Sequence, residues 1–400
     1  MSPTLPLSSA DCDTWRSLLD DDAPRACYVH IPFCRQRCYY CDFATGVGTA
    51  AAIEAYVQKL CAQIQQLPGS DVSLSTLFFG GGTPSLLQPE QLARIVCVLQ
   101  TRFSFAANLE FSLEANPGTV DRSQLVAYRE IGVNRISLGV QAFQPELLKI
   151  CGRLHDVEAV YRTVEDLRAA GFDNINLDLI FGLPQQTMAQ WQYSLQEAIA
   201  LAPTHLSTYD LTVEPDTRFG QLYRPGDAPL PSDETTVDMY LEAIATLERA
   251  GYEHYEISNF ARPDRQCRHN RVYWESRSYY GLGMGAAGYI RGQRYLHPRT
   301  LTEYVQLVDD ERIPEITAAS LAEQMTDELM VGLRLREGIA LSHLEKRYGR
   351  DRLKTVLTVL EPHIVRGWVS ATGDRLRLIP PRGWLFSNVI LVDIMEGLET

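Results

Sequence analysis

The chain has 400 residues, 45% of them hydrophobic and 22% charged, enough apolar material for one large globular domain with one or two smaller ones. Its net charge of −13, with no compensating basic block, argues against a binder of nucleic-acid backbone, whose affinity comes from clustered Lys and Arg. No window reaches the roughly 18 apolar residues of a membrane span.

Residues 1–24 carry Asp11, Asp13, Asp20, Asp21 and Asp22 but no cationic start before an apolar stretch. They read as a flexible acidic tail and not as a secretory signal. A cytoplasmic protein is therefore expected, with its cysteines reduced, so that a tight cysteine cluster signifies metal binding or catalysis.

From residue 25 onward, short β-branched or aromatic runs alternate with amphipathic stretches of helical period. Strands are predicted at 26–31, 76–80, 110–116, 135–141, 174–182 and 205–212, and helices at 50–66, 89–102, 121–131, 156–170 and 187–200. Six strands with helical crossovers predict an α/β core over 25–215, its parallel sheet either open or curved into a partial barrel. Function then collects at the carboxyl ends of the strands.

Residues 216–314 form an auxiliary α/β extension: a Pro- and Gly-rich connection, a helix at about 233–250, and the aromatic segment GYEHYEISNFARPDRQCRHNRVYW. Residues 315–400 hold helical patterns at 322–335, 341–348 and 351–366 followed by GWVSATGDRLRLIP, a hairpin turned on Gly-Asp. That combination predicts a winged-helix-like domain. Its basic run HLEKRYGRDRLK is interspersed with acids such as Glu345 and Asp351, which favours packing or partner docking over DNA.

Cys34, Cys38 and Cys41 stand at C-x3-C-x2-C on the loop after the first strand. Three thiolates on one loop can ligate three irons of a 4Fe-4S cluster and leave the fourth open. A structural zinc site completed by His30 is the rival reading. Cys12, Cys27, Cys61, Cys97 and Cys151 sit singly and read as small apolar side chains. An iron open to chelation by an amine and a carboxylate points to S-adenosylmethionine. The turn GGGTPS, Gly80 to Ser85, lacks the lysine of a P-loop, so its bare backbone suits close approach to a small ligand, not a nucleoside triphosphate.

With Tyr40 before its last cysteine, the loop resembles the cluster motif of the radical S-adenosylmethionine superfamily. Tyr28, Gly81, Gly82, Thr83, Glu114, Gln141, Arg153 and Asp178 align in order with the cofactor contacts of its oxygen-independent coproporphyrinogen III oxidase branch, which includes the HemW-type haem chaperones. The resemblance runs from about residue 25 to 395. It implies a partial (β/α)6 radical SAM barrel with a C-terminal winged-helix-like domain, and as cofactors a 4Fe-4S cluster and S-adenosylmethionine.

Two members of that branch compete. The oxidases resembled here carry one more cysteine two residues after the third, where this chain has Phe43, the HemW-type choice. The chaperones also carry an HNxxYW motif implicated in haem binding, which stands here as His269, Asn270, Tyr273 and Trp274. A neutral imidazole can ligate haem iron, and aromatic neighbours can pack on the macrocycle. Cys267 is a second candidate axial donor. Relatives often have a histidine where this chain has Ala287. The run GLGMGAAG contains G-x-G-x-x-G at Gly283, Gly285 and Gly288 but lacks the strand and second βα unit of a dinucleotide site.

The expected function is a haem carrier that holds haem, a 4Fe-4S cluster and exchangeable S-adenosylmethionine and passes haem to an acceptor such as a respiratory haem protein. The alternatives are radical decarboxylation of coproporphyrinogen III propionates, and radical chemistry on another substrate. Whether S-adenosylmethionine is cleaved, and whether the chain forms a homodimer, stay open at this point.

Overall fold

A computed structural model describes residues 23–317 and 319–399. Most of the expected acidic tail, with Cys12, lies outside the described residues. The core alternates strand and helix: β1 (Ala26–Ile31), α1 (Ala50–Gln66), β2 (Ser70–Gly81), α2 (Pro89–Gln100), β3 (Phe103–Ala115), α3 (Arg122–Ile131), β4 (Arg135–Gln141), α4 (Val157–Ala169), β5 (Asn174–Phe181), α5 (Met188–Ala200) and β6 (His205–Asp210). All seven residues of β4 are buried, as expected of a parallel strand covered on both faces. Short polar side chains set the helix starts. Thr49, Asp121, Asp156 and Thr187 each accept a hydrogen bond from a first-turn backbone N–H, satisfying a donor the helix itself leaves orphaned.

β1 to β6 lie side by side in sequence order, every neighbouring pair parallel. Side chains from β2 through β6 line one common cavity, so the sheet curls into a partial barrel with the helices outside. β2 and β3 begin earlier than the sequence pattern predicts, at Ser70 and Phe103. Residues 104–109 of β3 are largely exposed, so this end of the strand pair lacks the burial that would make its pattern legible.

The extension does more than follow the core. It contributes α6 (Asp233–Arg249), β7 (Glu253–Glu256), β8 (Asn259–Ala261), α7 (Arg268–Trp274) and β9 (Tyr280–Leu282). β8 pairs antiparallel with β6, and β7 with β8, while β9 pairs parallel with β1 at the opposite edge. α7 lies across the amino-terminal end of the barrel, its first backbone N–H groups held by Glu110 of β3. The glycines of GLGMGAAG serve packing: a Cβ on Gly281 would lie 1.9 Å from the Ala287 carbonyl oxygen.

The C-terminal unit has α8 (Leu321–Gly332), α9 (Leu341–Tyr348), α10 (Arg350–Val365) and the hairpin β10 (Val369–Thr372) and β11 (Arg375–Leu378), with Ile339–Ala340 as a third strand. This is the expected winged-helix-like arrangement. A further helix, α11 (Ser387–Glu399), completes it. Buried Glu328 joins α8 to α9 by accepting from Arg347 and Tyr348.

At the seam between barrel edge and C-terminal unit, the Ile257 N–H donates to Arg334 and the Arg336 N–H to Tyr255. Glu256 beside them is fully buried, and burial pushes its carboxyl up to about 7. The native state thus keeps a proton that the unfolded chain gives up from its model value of 4.5. That stability is complete below pH 4.5 and is lost as pH rises through 7. Glu256→Gln is expected to raise the unfolding free energy at pH 8, by up to about 3 kcal/mol, and to change it little at pH 4.5. Denaturant melts at the two pH values check this, and equal effects at both would refute the assigned protonation.

Candidate functional site

Parallel strands buried on both faces are usually apolar throughout, but the inner face of this barrel is not. Arg135, Ser137, Gly139 and Gln141 of β4, Asn176 and Asp178 of β5, Ser207 and Tyr209 of β6, and Glu114 of β3 all line one cavity of about 410 Å³. They recur at the two-residue period that puts alternate side chains on one face. Asn176 donates to Ser137, Asp178 and Ser207 at 2.7, 2.7 and 3.0 Å, and Ser137 donates to Asp178 at 2.9 Å. Burial, then the nearby Asp178, pushes the Glu114 carboxyl up to about 7. Near neutral pH, this lumen therefore keeps a proton shared between acceptor groups.

The three cysteines open onto the same cavity from the loop after β1. The Cys41 N–H donates to the Cys38 carbonyl at 3.2 Å, and the Tyr39 N–H ties the loop to the Cys151 carbonyl at 3.0 Å. The Arg153 guanidinium donates to the Cys38 sulfur at 3.3 Å and also to Asn116 and the Gly139 carbonyl. Burial holds the Cys34 and Cys41 thiols above their ordinary range, opposed by nearby hydrogen-bond donors. A cation and donors beside soft sulfur fit thiolates that bind iron. The zinc alternative fails on its fourth ligand. Both His30 nitrogens are engaged, one with Tyr28 and one with the Ala44 carbonyl, and no three His, Cys, Asp or Glu among the described residues gather about one ion-sized point.

The glycine turn after β2 exists because two backbones meet there. Gly81 has φ +113°, and a Cβ on Gly82 would lie 2.6 Å from the Phe33 carbonyl oxygen. The Gly82 N–H donates to Ile31, and the Gly81 N–H to the Glu114 carboxyl at 3.0 Å. The turn is thus pressed against the residue that precedes Cys34, bringing cofactor cradle and cysteine loop together.

Of the residues singled out in the sequence, Tyr40, Gly81, Gly82, Thr83, Glu114, Gln141, Arg153 and Asp178 line this cavity with the three cysteines, and Tyr28 does not. Tyr28 packs one layer behind, its hydroxyl on His30 and its ring on Phe78. Gln141 has φ +71°, a strained conformation for a residue with a Cβ and a mark of functional constraint.

The HNxxYW segment divides. Asn270 lines the cavity from below, whereas His269, Tyr273 and Trp274 do not. His269 is fully buried and commits both ring nitrogens, to the Thr76 and Tyr273 hydroxyls, each at 2.8 Å. Its ring stacks on Phe78, and burial, then Arg135, pushes its pKa down to about 3. The expected axial ligation of haem iron by His269 therefore does not fit this geometry. The imidazole offers no free lone pair, and a macrocycle cannot reach it without opening the barrel floor. Cys267 is equally enclosed, its thiol pushed up to about 12 by burial. His269→Ala is expected to lower unfolding stability by about 2–4 kcal/mol, from the cavity and two stranded hydroxyls. Chemical denaturation measures it, and a loss well under 1 kcal/mol would contradict the strut role.

Asn116, Arg135, Ser137, Asn176, Ser207 and Tyr209 escaped the sequence reading. The signal was present in RISLGVQ, NINLDLIF and HLSTYD, where polar residues alternate along strands that should otherwise be apolar.

Comparison with known proteins agrees with this geometry. The Radical SAM superfamily model matches residues 28–198 and the HemN C-terminal domain model residues 319–386. A heme chaperone HemW from Synechocystis is 40% identical, the alignment covering 94% of this chain and 97% of that protein. The Bacillus subtilis heme chaperone HemW is 36% identical over 82% of this chain and 88% of its own length. Among solved structures, the coproporphyrinogen III oxidase HemN of Escherichia coli, a radical SAM enzyme, superposes with a TM-score of 0.83 at 26% identity, covering 97% of this chain and 93% of that one.

Proposed function

The chain belongs to the HemW family of radical SAM proteins, and from that membership we propose that it carries haem to an acceptor protein while holding a 4Fe-4S cluster and exchangeable S-adenosylmethionine. The observation that supports the reading most is the convergence of Cys34, Cys38 and Cys41 with the glycine turn, Glu114, Gln141, Arg153 and Asp178 on one cavity. In the proposed complex the three thiolates hold the cluster, which supplies an open iron and an electron. Arg153 offsets thiolate charge at Cys38. The Gly81–Thr83 backbone lies along the methionine part of the cofactor, and Glu114 and Asp178 accept from its hydroxyl and amino groups. The Asn176, Ser137 and Ser207 network keeps those carboxyls oriented.

Haem is the cargo in this reading, received in a reducing, cytoplasmic setting. Among the described residues no helix is long and apolar enough to cross a membrane, so any membrane-bound acceptor is met from outside the bilayer. The acceptor is a haem protein, for instance a respiratory one, and a homodimer is compatible with the proposal. Anaerobic titration of the reconstituted chain with haem, followed by mixing with apomyoglobin, tests it. Saturable binding followed by transfer is expected, and no specific binding would overturn the proposal.

The likeness to coproporphyrinogen III oxidase favours one second reading, oxidative decarboxylation. Phe43, 59% exposed, stands where the oxidases resembled here carry their extra cysteine. Incubation with coproporphyrinogen III, reductant and S-adenosylmethionine is accordingly expected to give no vinyl product.

A further inference from the structure

If His269 is not free to bind iron, the chain's other histidines can be compared nitrogen by nitrogen. There are eight. His30, His205, His269 and His297 are buried with both ring nitrogens engaged. His254 and His363 are buried and stacked on Phe260 and Trp368. His343 is tied to Glu328 on the C-terminal unit. His155 differs from all of these. It lines an open cleft of about 240 Å³ on the other side of the cysteine loop from the lumen, and Cys38 lines both.

His155 Nε2 lies 3.2 Å from the Val140 carbonyl. A carbonyl only accepts, so Nε2 carries the proton and Nδ1 keeps its lone pair, with no partner among the described residues. A backbone carbonyl on the far nitrogen is the usual support of a metal-ligating imidazole. Burial, then Arg153, pushes the His155 pKa down to about 3, so the ring stays in the neutral form that ligation needs.

The same cleft has a charge the rest of the chain lacks. Arg35 and Arg162 line it. Arg162 has no ion-pair or hydrogen-bond partner among the described residues, and Arg35 has only a long contact, 3.4 Å, to the Gly118 carbonyl. In a chain of net charge −13, two uncommitted guanidiniums facing one cleft are a site for carboxylates. Asp156, the carboxylate at its edge, is occupied in capping α4. Pro117 and Leu154, the latter 64% exposed, add apolar surface.

We propose that haem docks in this cleft by one edge, its two propionates on Arg35 and Arg162 and its iron toward Nδ1 of His155. The proposal rests on the haem-carrying reading and deepens it by naming the site. The cleft is open, so it grips part of the macrocycle and leaves the rest for an acceptor. Approach at Nδ1 is more crowded than at Nε2, which makes the iron bond exchangeable, as a carrier requires. Cargo held here stands across Cys38 from the cluster.

The test is anaerobic haem titration by visible absorption of the full chain with its cluster reconstituted, comparing wild type, the double variant Arg35→Ala/Arg162→Ala, His155→Ala and His269→Ala. The double variant is expected to bind haem at least about tenfold more weakly, since each charge-assisted hydrogen bond contributes about 1.5–3 kcal/mol. Haem dimethyl ester, which lacks the carboxylates, should bind wild type and double variant alike. His155→Ala should move the Soret band, and His269→Ala should leave it in place. Cluster absorbance confirms that each variant is folded, and Arg162 alone, on the exposed face of α4, gives an arm independent of the cysteine loop. If wild type binds haem and the Arg and His155 variants match it, the cleft is wrong and the haem-carrying reading survives. If wild type binds no haem, both fall.

Discussion

Cys38→Ala is expected to leave the anaerobically reconstituted chain with almost no bound iron or sulfide, and with no measurable affinity for S-adenosylmethionine. Only three thiols open onto the lumen from the loop, so losing one removes a ligand for which the loop holds no substitute. Cys38 is also the sulfur toward which Arg153 donates. Without it, a guanidinium deep in the protein faces the cavity with part of its partnership gone, a costly arrangement in a low dielectric. Cys34→Ala and Cys41→Ala should behave alike. Cys97→Ser is the matched control, because that thiol is exposed and remote from the loop. Iron analysis and electron paramagnetic resonance of the reduced protein read the outcome. Full iron content in Cys38→Ala would remove the cluster from this loop.

Gly82→Ala should be the most damaging single-methyl change in the site. The added carbon would lie 2.6 Å from the Phe33 carbonyl oxygen and 2.9 Å from that residue's backbone nitrogen and carbonyl carbon, and backbone cannot swing aside as a side chain can. Overpacking of this kind costs about 1–3 kcal/mol. Here the strain falls on the residue before Cys34, so it pushes cofactor cradle and cluster loop apart. S-adenosylmethionine affinity is expected to drop at least tenfold, with cluster occupancy reduced. Gly46→Ala, at the far end of the same loop, meets nothing within 4 Å and should bind as wild type. Isothermal titration of both variants decides the matter, and equal affinities would show that the turn has slack.

Much of the core was legible because periodicity and burial agree there. β1 and β4 end where their apolar runs end, and α1 is read correctly from an amphipathic stretch opened by Thr49. β3 was found only in its buried half, since residues 104–109 are largely exposed. α11 was missed because its sequence, SNVILVDIMEGLE, has too few polar residues to display a helical face. The cysteine loop was legible from spacing alone. His269 was not, because a motif tells which residues recur together and not which way they face. Only the fold shows that the imidazole is stretched between Thr76 and Tyr273 while its neighbour Asn270 meets the cavity.

The pairing of β9 with β1 bears on how the chain is made. β1 leads directly into the cysteine loop and emerges early in synthesis, yet the strand that covers its outer edge arrives only after Leu282 has been added. The nascent core must therefore wait with one flank of hydrogen-bonding groups unpaired, and with its floor missing until α7 appears. Such an edge is a template for another chain. A ribosome stalled before Tyr280 would release a barrel with its cysteine loop complete and its first strand bare, a product destined for aggregation and not for cluster loading.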